Sequence, residues 1–374
     1  MELLYRIWLA QKYKVRKKKA CEMIKITGSA ENVYNLSDDE YINFGCNEKE
    51  IEQLNEKNLD EAGRIIKDCE KLDIKILTPL SDEFPKILCD IKEPVQVLYI
   101  KGEIPDWNNI LKIAIVGTRH NSEYAGVVTS RFSSELADKG AVIVSGMAMG
   151  IDCIAMNEAL KSEGFVIGVM GRGLDEAYPK QNSELFEELT EKGCAISEYP
   201  PGEGANRMHF PQRNRIVCAL SDGVLAVEAP LKSGTLITAR YAREMNKPLF
   251  AVPGNIYNRY NEGTNQLLRT GATAVTSVND ILEEFPYKYN SIKRTRVSEK
   301  TDDITEVSNE DLWIDDPLDD RIIKLLKKRD MNIEEIAAEC DVRINELNSH
   351  LTILEVEGII LKLAGARYKY NTEN

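Results

Sequence analysis

Between residues 111 and 252 the chain repeats one pattern: a short apolar run rich in β-branched residues, then a longer stretch of helical character. Ile113-Ala114-Ile115-Val116, Ala141-Val142-Ile143-Val144, Phe165-Val166-Ile167-Gly168-Val169 and Gly223-Val224-Leu225-Ala226-Val227 are apolar throughout. A strand wetted on one face would alternate apolar with polar residues. These do not alternate, so they must be covered on both faces, as parallel strands are. Pro248-Leu249-Phe250-Ala251-Val252 reads as a further strand. Helical segments over 123–138, 151–162, 181–192, 236–246 and 262–270 lie between and after these runs. Strand followed by helix, repeated, leaves an α/β fold: a Rossmann-like, doubly wound, mostly parallel sheet.

The flanks read differently. Residues 5–71 are charged and helical in pattern, with helix-start chemistry at Leu36-Ser37-Asp38-Asp39-Glu40 and at Gly45-Cys46-Asn47-Glu48. They predict a small helical domain over 1–72, of the SAM or helix-hairpin-helix kind. From Ile74 to Gly102, short apolar runs with prolines predict strands and turns that bridge into an extended Rossmann-like domain over 73–286. Residues 287–316 are too polar to build a core and read as a linker. Beyond them, amphipathic helices over 320–329, 332–340 and 343–357 precede strands at 358–363 and 366–370, which describes a winged-helix domain over 317–374.

Several function classes lose support at once. The chain lacks a GxxxxGK[ST] loop for nucleoside triphosphates, and no GxGxxG opens the first helix as a dinucleotide fold requires. His120, His209 and His350 are the only histidines and have no ligand spacing, so neither a metal nor a cofactor is expected. The eight cysteines form no CxxC pair, which suits a reducing cytoplasm. No apolar stretch is long enough to span a bilayer, and Lys17-Lys18-Lys19 follows the first apolar run, the reverse of a secretory signal. A net charge of −13 excludes coating nucleic acid by bulk charge, though a local basic groove can coexist with it.

In an open parallel sheet, ligands bind beyond the carboxyl ends of the strands, where loops expose helix N-terminal amides to anions. After the first strand comes Gly117-Thr118-Arg119-His120-Asn121-Ser122. Glycine lets the backbone approach a phosphate, Thr118 and Ser122 offer hydroxyls, and Arg119 offers a permanent bidentate cation. The same residues also fit a plain βα turn with a solvated arginine. Ser145-Gly146-Met147-Ala148-Met149-Gly150-Ile151-Asp152 opens the next helix, with Asp152 a candidate cap. Phe210-Pro211-Gln212-Arg213-Asn214-Arg215 gathers two guanidiniums, an amide and a ring; it fits either phosphate binding with base stacking, or a packed phenylalanine beside surface arginines. Ser233-Gly234-Thr235 could receive an anion at a helix start or merely cap it, with Thr238 and Arg240 following on the same helix.

Taken in order, these motifs resemble the DNA-processing protein A (DprA/Smf) family. The match runs through Phe84-Pro85-Lys86-Ile87-Leu88, Leu98-Tyr99-Ile100-Lys101-Gly102, Ile115-Val116-Gly117-Thr118-Arg119, Ser145-Gly146 to Asp152 and Tyr178-Pro179. It continues through Phe210 to Ile216, Val227-Glu228-Ala229, Ser233-Gly234-Thr235, Thr238-Ala239-Arg240 and Ala251-Val252-Pro253-Gly254. The resemblance implies a protein that binds single-stranded DNA, dimerises through its Rossmann-like domain, helps load a RecA-type recombinase during natural transformation, and is not an enzyme. It implies phosphate-binding roles for Arg119, Arg213 and Arg215, a base-stacking neighbour in Phe210, and a pocket lined by Gly117, Ser145, Gly146, Ser233 and Gly234. With Thr118, Ser122, Asn214, Thr235, Thr238 and Arg240 these form the candidate DNA-binding set. Met149 and Met156 stand where the family usually has an arginine and a histidine.

Two other readings use the same residues. Rossmann-like nucleotide glycosidases combine phosphate-binding glycine loops with a carboxylate, a part Glu228 could play near Ser233. A transcription regulator would read duplex DNA through the helix over 343–357, whose Arg343, Asn345, Asn348, Ser349 and His350 are offset by Glu346, Glu355 and Glu357.

Overall fold

The apolar runs lie side by side as the buried centre of one sheet. A computed structural model describes residues 1–286 and, within 317–371, all but 341, 343, 345–346, 348–349, 352–353, 356–358 and 364–366. The expected linker over 287–316 therefore lies outside the described residues, as does much of the helix expected over 343–357. The chain forms two compact units, Met1–Lys300 and Thr301–Asn374.

In the first unit the strands are β1 (Lys75–Leu77), β2 (Leu98–Gly102), β3 (Lys112–Val116), β4 (Val142–Ser145), β5 (Val166–Met170), β6 (Cys194–Ser197), β7 (Gly223–Ala226), β8 (Leu249–Ala251) and β9 (Thr273–Ala274). They hydrogen-bond in the order β1-β2-β6-β5-β4-β3-β7-β8-β9. From β6 to β9 every neighbouring pair is parallel. Strand β2 joins antiparallel to β6 with Ile100 opposite Ile196, and β1 joins antiparallel to β2. The segment read as a bridge is thus the edge of the main sheet. Strand β6 did not stand out in the sequence: it is four residues long and follows a helix after a single glycine, Gly193.

Alternate residues of each strand feed opposite cores, as the period of two demands. Ile113, Ile115, Ile143, Ala195, Leu225 and Phe250 face one cluster; Ala114, Val116, Val144, Ile196, Val224 and Ala251 face the other. The first core is covered by α8 (Glu123–Asp138), α9 (Ile151–Lys161) and α10 (Ser183–Lys192), through residues such as Phe132, Leu136, Ala155 and Leu189. Helices α11 (His209–Leu220), α12 (Gly234–Glu244) and α13 (Glu262–Arg269), with the short α7 (Ile87–Asp90), cover the second. The last short helix of this unit, α14, is Asn279–Leu282.

Six helices precede the sheet: α1 (Glu2–Ala10), α2 (Lys17–Thr27), α3 (Ala30–Tyr34), α4 (Asp38–Asn43), α5 (Glu48–Leu54) and α6 (Asp60–Lys71). Reciprocal capping boxes, Ser37 with Glu40 and Asn47 with Glu50, start α4 and α5 where the sequence offered them. Ile7, Trp8, Met23, Tyr41 and Leu54 are buried, and they continue the apolar cluster on the first face of the sheet.

In the second unit, α15 (Pro317–Leu326) and α16 (Ile333–Cys340) pack with three antiparallel strands, β10 (Met331–Asn332), β11 (Ile360–Leu363) and β12 (Arg367–Tyr370), ordered β10-β12-β11. Its core holds Ile322, Leu326, Ile336, Leu347, Leu351, Leu354 and Ile360. Among the described residues, no helix is long and apolar enough to cross a membrane.

Ile115 sits in the central strand with no exposed surface. Ile115→Ala should destabilise the first unit by about 2–5 kcal/mol through lost burial and a residual cavity. Urea denaturation would show this as a lower midpoint at an unchanged slope.

Candidate nucleic-acid interface

Strand order places the site. From β3 the chain moves outward through β4, β5 and β6, then returns to lay β7 on the other side of β3. The crevice beyond the carboxyl ends of β3 and β7 is therefore the topological switch point, where loops diverge and a ligand can enter.

The two loops at this crevice are tied together by Glu228. Thr118 N–H donates to the Glu228 carbonyl at 2.8 Å. The Glu228 carboxylate, fully buried, accepts from Ser122 N–H at 2.8 Å and from Ser122 Oγ at 2.7 Å. Asn261, with its amide turned to donate, adds a third bond at 2.8 Å. Ser122 Oγ in turn accepts from Ala125 N–H at 3.2 Å and caps α8. Both side chains are thus committed to bracing. A carboxylate consumed this way is poorly placed to assist cleavage at a sugar carbon, the role Glu228 would need in a glycosidase.

The β4–α9 loop folds against the first. Gly150 has φ +79°, and a Cβ there would lie 2.4 Å from the Thr118 carbonyl oxygen, so only glycine fits. Ser145, fully buried, donates its Oγ to the Ile115 carbonyl at 2.7 Å and ties β4 to β3. Asp152 accepts from Gly146 N–H at 3.2 Å. A Cβ on Gly146 would meet Arg213 Nη2 at 2.5 Å and Asp152 Oδ2 at 2.7 Å. Glycine at 146 is what lets the Arg213 guanidinium fill the space behind the loop.

Arg213 is 4% exposed. Its Nη1 donates to the Gly146 carbonyl at 2.5 Å and to the Val169 carbonyl, and its Nε donates to Asn214 Oδ1 at 3.2 Å. The guanidinium therefore closes the carboxyl ends of β4 and β5. Burial lowers its pKa to about 10, with Arg119 adding to the effect and Asp152 opposing it, so it stays charged at neutral pH. Burial likewise raises Asp152 to about 6, against the pull of Arg213 and of the Ala148, Gly146 and Gly117 amides. Desolvation outweighs the attraction between the two groups.

At the mouth the side chains are accessible. Arg119 is exposed, with its guanidinium 5.7 Å from the centre of the Phe210 ring. Phe210, half-buried, stacks on Tyr178 with centroids 5.5 Å apart and planes 26° apart. Arg119, Phe210 and Tyr178, with Gly146, Met149 and Arg172, line a cavity of about 90 Å³. Arg172 is held by Asp175 at 3.3 Å and Glu176 at 3.5 Å. Met149 is 42% exposed at this mouth, whereas Met156 has no exposed surface and packs in the core. Neither Tyr178 nor Arg172 was singled out from sequence for a part in the site. Tyr178 lies 32 positions from its ring partner, and the Tyr178-Pro179 pair was the one signal of it.

The remaining candidates divide. Asn214 donates from Nδ2 to the Gly234 carbonyl at 3.3 Å, joining α11 to the start of α12. There Ser233 occupies the N-cap position, its Oγ shielded and without a hydrogen-bond partner among the described residues, beside the exposed Gly234. Thr235 and Thr238 are buried. Arg215 and Arg240 are not brought to this mouth. Arg215 is 3% exposed and donates from Nη2 to both oxygens of Glu198, each at 2.8 Å. Lys17 also bonds Glu198, and although burial alone would raise this carboxyl, the two cations hold it below its ordinary value. Arg240, exposed, pairs with Glu244 at 3.6 Å and lies over Tyr241; with Arg215 it borders a different cavity, lined also by Lys92 and Met245.

Comparison with known proteins gives consistent results. Residues 75–286 match the family model for DNA recombination-mediator protein A. The chain is similar to protein Smf of Synechocystis, 31% identical over 87% of each chain. Among solved structures it resembles DNA processing protein A from Streptococcus pneumoniae, with 32% identity and a TM-score of 0.66 over 75% of this chain and 98% of that one. It also resembles DNA processing protein A from Helicobacter pylori, a structure described for its single-stranded-DNA binding mode. Here identity is 34% and the TM-score 0.52 over 60% of this chain and 97% of that one.

The raised Asp152 pKa makes stability depend on pH. An unfolded aspartate releases its proton near about 3.9, whereas this one holds it to about 6. Between those values the native state binds the extra proton, so its contribution to stability falls as pH rises from about 4 to about 6 and is flat above. Urea midpoints across that range should fall less steeply for Asp152→Asn than for the wild type; identical slopes would contradict the assignment.

Proposed function

The chain belongs to the DNA recombination-mediator protein A family, and from that premise we propose that it grips an unpaired DNA strand at the switch-point crevice without reading its sequence. The observation that carries the proposal is the exposed Arg119 guanidinium standing over the Phe210–Tyr178 stack, beside glycine loops. Phosphate oxygens take the guanidinium and loop amides, and every base has a face that can stack on an aromatic ring. Arg213 acts from beneath, as a buried cation beside Asp152 that fixes the loops through their carbonyls. Asn214 and the start of α12, with Ser233 and Gly234, supply the next polar contacts along the strand. No step requires a catalytic residue, and Glu228, the one carboxylate considered for such a part, serves as a brace.

The single-stranded-DNA binding mode of the Helicobacter pylori relative supports the same substrate class. A recombination mediator must also pass its strand on. We take the recipient to be a RecA-type recombinase in the cytoplasm, the protein to act as a homodimer through its Rossmann-like unit, and the second unit to be a winged helix used for protein contacts. The acidic residues among 343–357 argue against duplex reading by that unit, because phosphate neutralisation supplies most duplex affinity.

Fluorescence anisotropy with equal-length single- and double-stranded oligonucleotides tests the reading. The wild type should prefer the single strand, with affinity falling steeply as salt rises. Arg119→Ala should weaken single-strand binding about tenfold or more and flatten the log–log salt slope by about 0.7, the contribution of one neutralised phosphate. Equal affinity for duplex, or an unchanged Arg119→Ala variant, would overturn it.

A further inference from the structure

We infer that the bound strand does not end at the crevice but continues into a second groove, between the α1–α2 loop and α11, where Lys14, Arg16 and Arg215 take further phosphates. This rests on the single-strand reading above and extends its footprint onto the N-terminal helices. The groove encloses about 910 Å³, with the α1–α2 loop on one side and Glu198, Tyr199, Gln212 and Arg215 on the other. Consecutive residues of α11 border the two: Phe210 lines the crevice, and its neighbour His209 lines the groove, stacked on Tyr199 with centroids 3.9 Å apart and planes 13° apart.

Two independent observations assign the ligand. The first is charge. Residues 12–19 read Lys-Tyr-Lys-Val-Arg-Lys-Lys-Lys, six cations in eight positions of a chain whose net charge is −13. Lys12, Lys17 and Lys19 are engaged by Glu56, Glu198 and Glu50. Lys14 makes a long 3.9 Å contact to Glu52 and lies 6.0 Å from the centre of the Tyr13 ring, and both Lys14 and Arg16 are exposed beside Tyr13, itself 81% exposed. The second is Arg215. Glu198 takes its Nη2, while Nη1 is buried with no hydrogen-bond partner among the described residues. A guanidinium fork with one arm idle in the wall of a groove wants an acceptor with fixed oxygens, and a phosphodiester supplies one. Glu61, Glu93 and Glu203 also border the groove, so a strand that makes several phosphate contacts at once offsets their repulsion where a single small anion does not. Tyr13 provides an exposed ring face for an intervening base.

Full-length wild type, Lys14→Ser/Arg16→Ser and Arg119→Ala should each be titrated with polythymidine of two lengths, one spanning the crevice alone and one several-fold longer, over a salt series. Both substituted loop residues are exposed, so folding is preserved. The double variant should bind the long strand about tenfold more weakly, with a salt slope shallower by about 1.4, and bind the short strand as the wild type does. Arg119→Ala should lose both. A long-strand affinity and slope equal to wild type in the double variant would overturn the second groove while leaving the crevice standing. Wild type that binds neither length would overturn both.

Discussion

The crevice depends on one buried cation. Arg213 sits where the carboxyl ends of β4 and β5 meet the β4–α9 loop, and it satisfies carbonyls that the end of a parallel sheet otherwise leaves bare. Gly146 exists to make room for it, Asp152 shares its burial, and the loop it fixes holds Gly150 against Thr118. Because a guanidinium keeps its charge even when desolvation lowers its pKa, its bonds to the loop carbonyls persist and cost no rearrangement when a strand arrives, while the neighbouring Asp152, ionised above about pH 6, offsets its field. Glu228 does the equivalent on the other side, tying the β3 and β7 loops together through Ser122. A rigid floor and wall leave Arg119 and Phe210 as the accessible parts.

Much of the fold was legible because parallel strands buried on both faces have no polar positions to confuse the pattern. The runs at 113–116, 141–144, 165–169, 223–227 and 248–252 became β3, β4, β5, β7 and β8 with no end shifted by more than one residue. What escaped was short or lacked punctuation. Cys194-Ala195-Ile196-Ser197 has too few residues to show a period, and the strands at 75–77 and 98–102 carry nothing that says which sheet they join. Only the antiparallel pairing of β2 with β6 settles that.

The site was legible as loops but not as directions. Arg213 and Arg215 look equivalent on paper, yet two residues apart on a helix they point some 200° from one another. One closes the sheet beneath the crevice and the other turns to Glu198 and the N-terminal helices. Ser122 and Ser145 were expected to face a ligand through their hydroxyls; the structure spends both on internal bonds, to Glu228 and to the Ile115 carbonyl. Composition in one dimension names which residues can bind a phosphate, and burial in three decides which have an atom left with which to do it.

The central claim is that the protein holds a strand by its phosphates. It is tested most directly by comparing a natural single-stranded oligonucleotide with a neutral-backbone analogue of identical base sequence in the same anisotropy titration. The account predicts that the neutral analogue binds orders of magnitude more weakly and with little response to salt. Equal binding of the two would show that the bases, not the backbone, are what the crevice recognises.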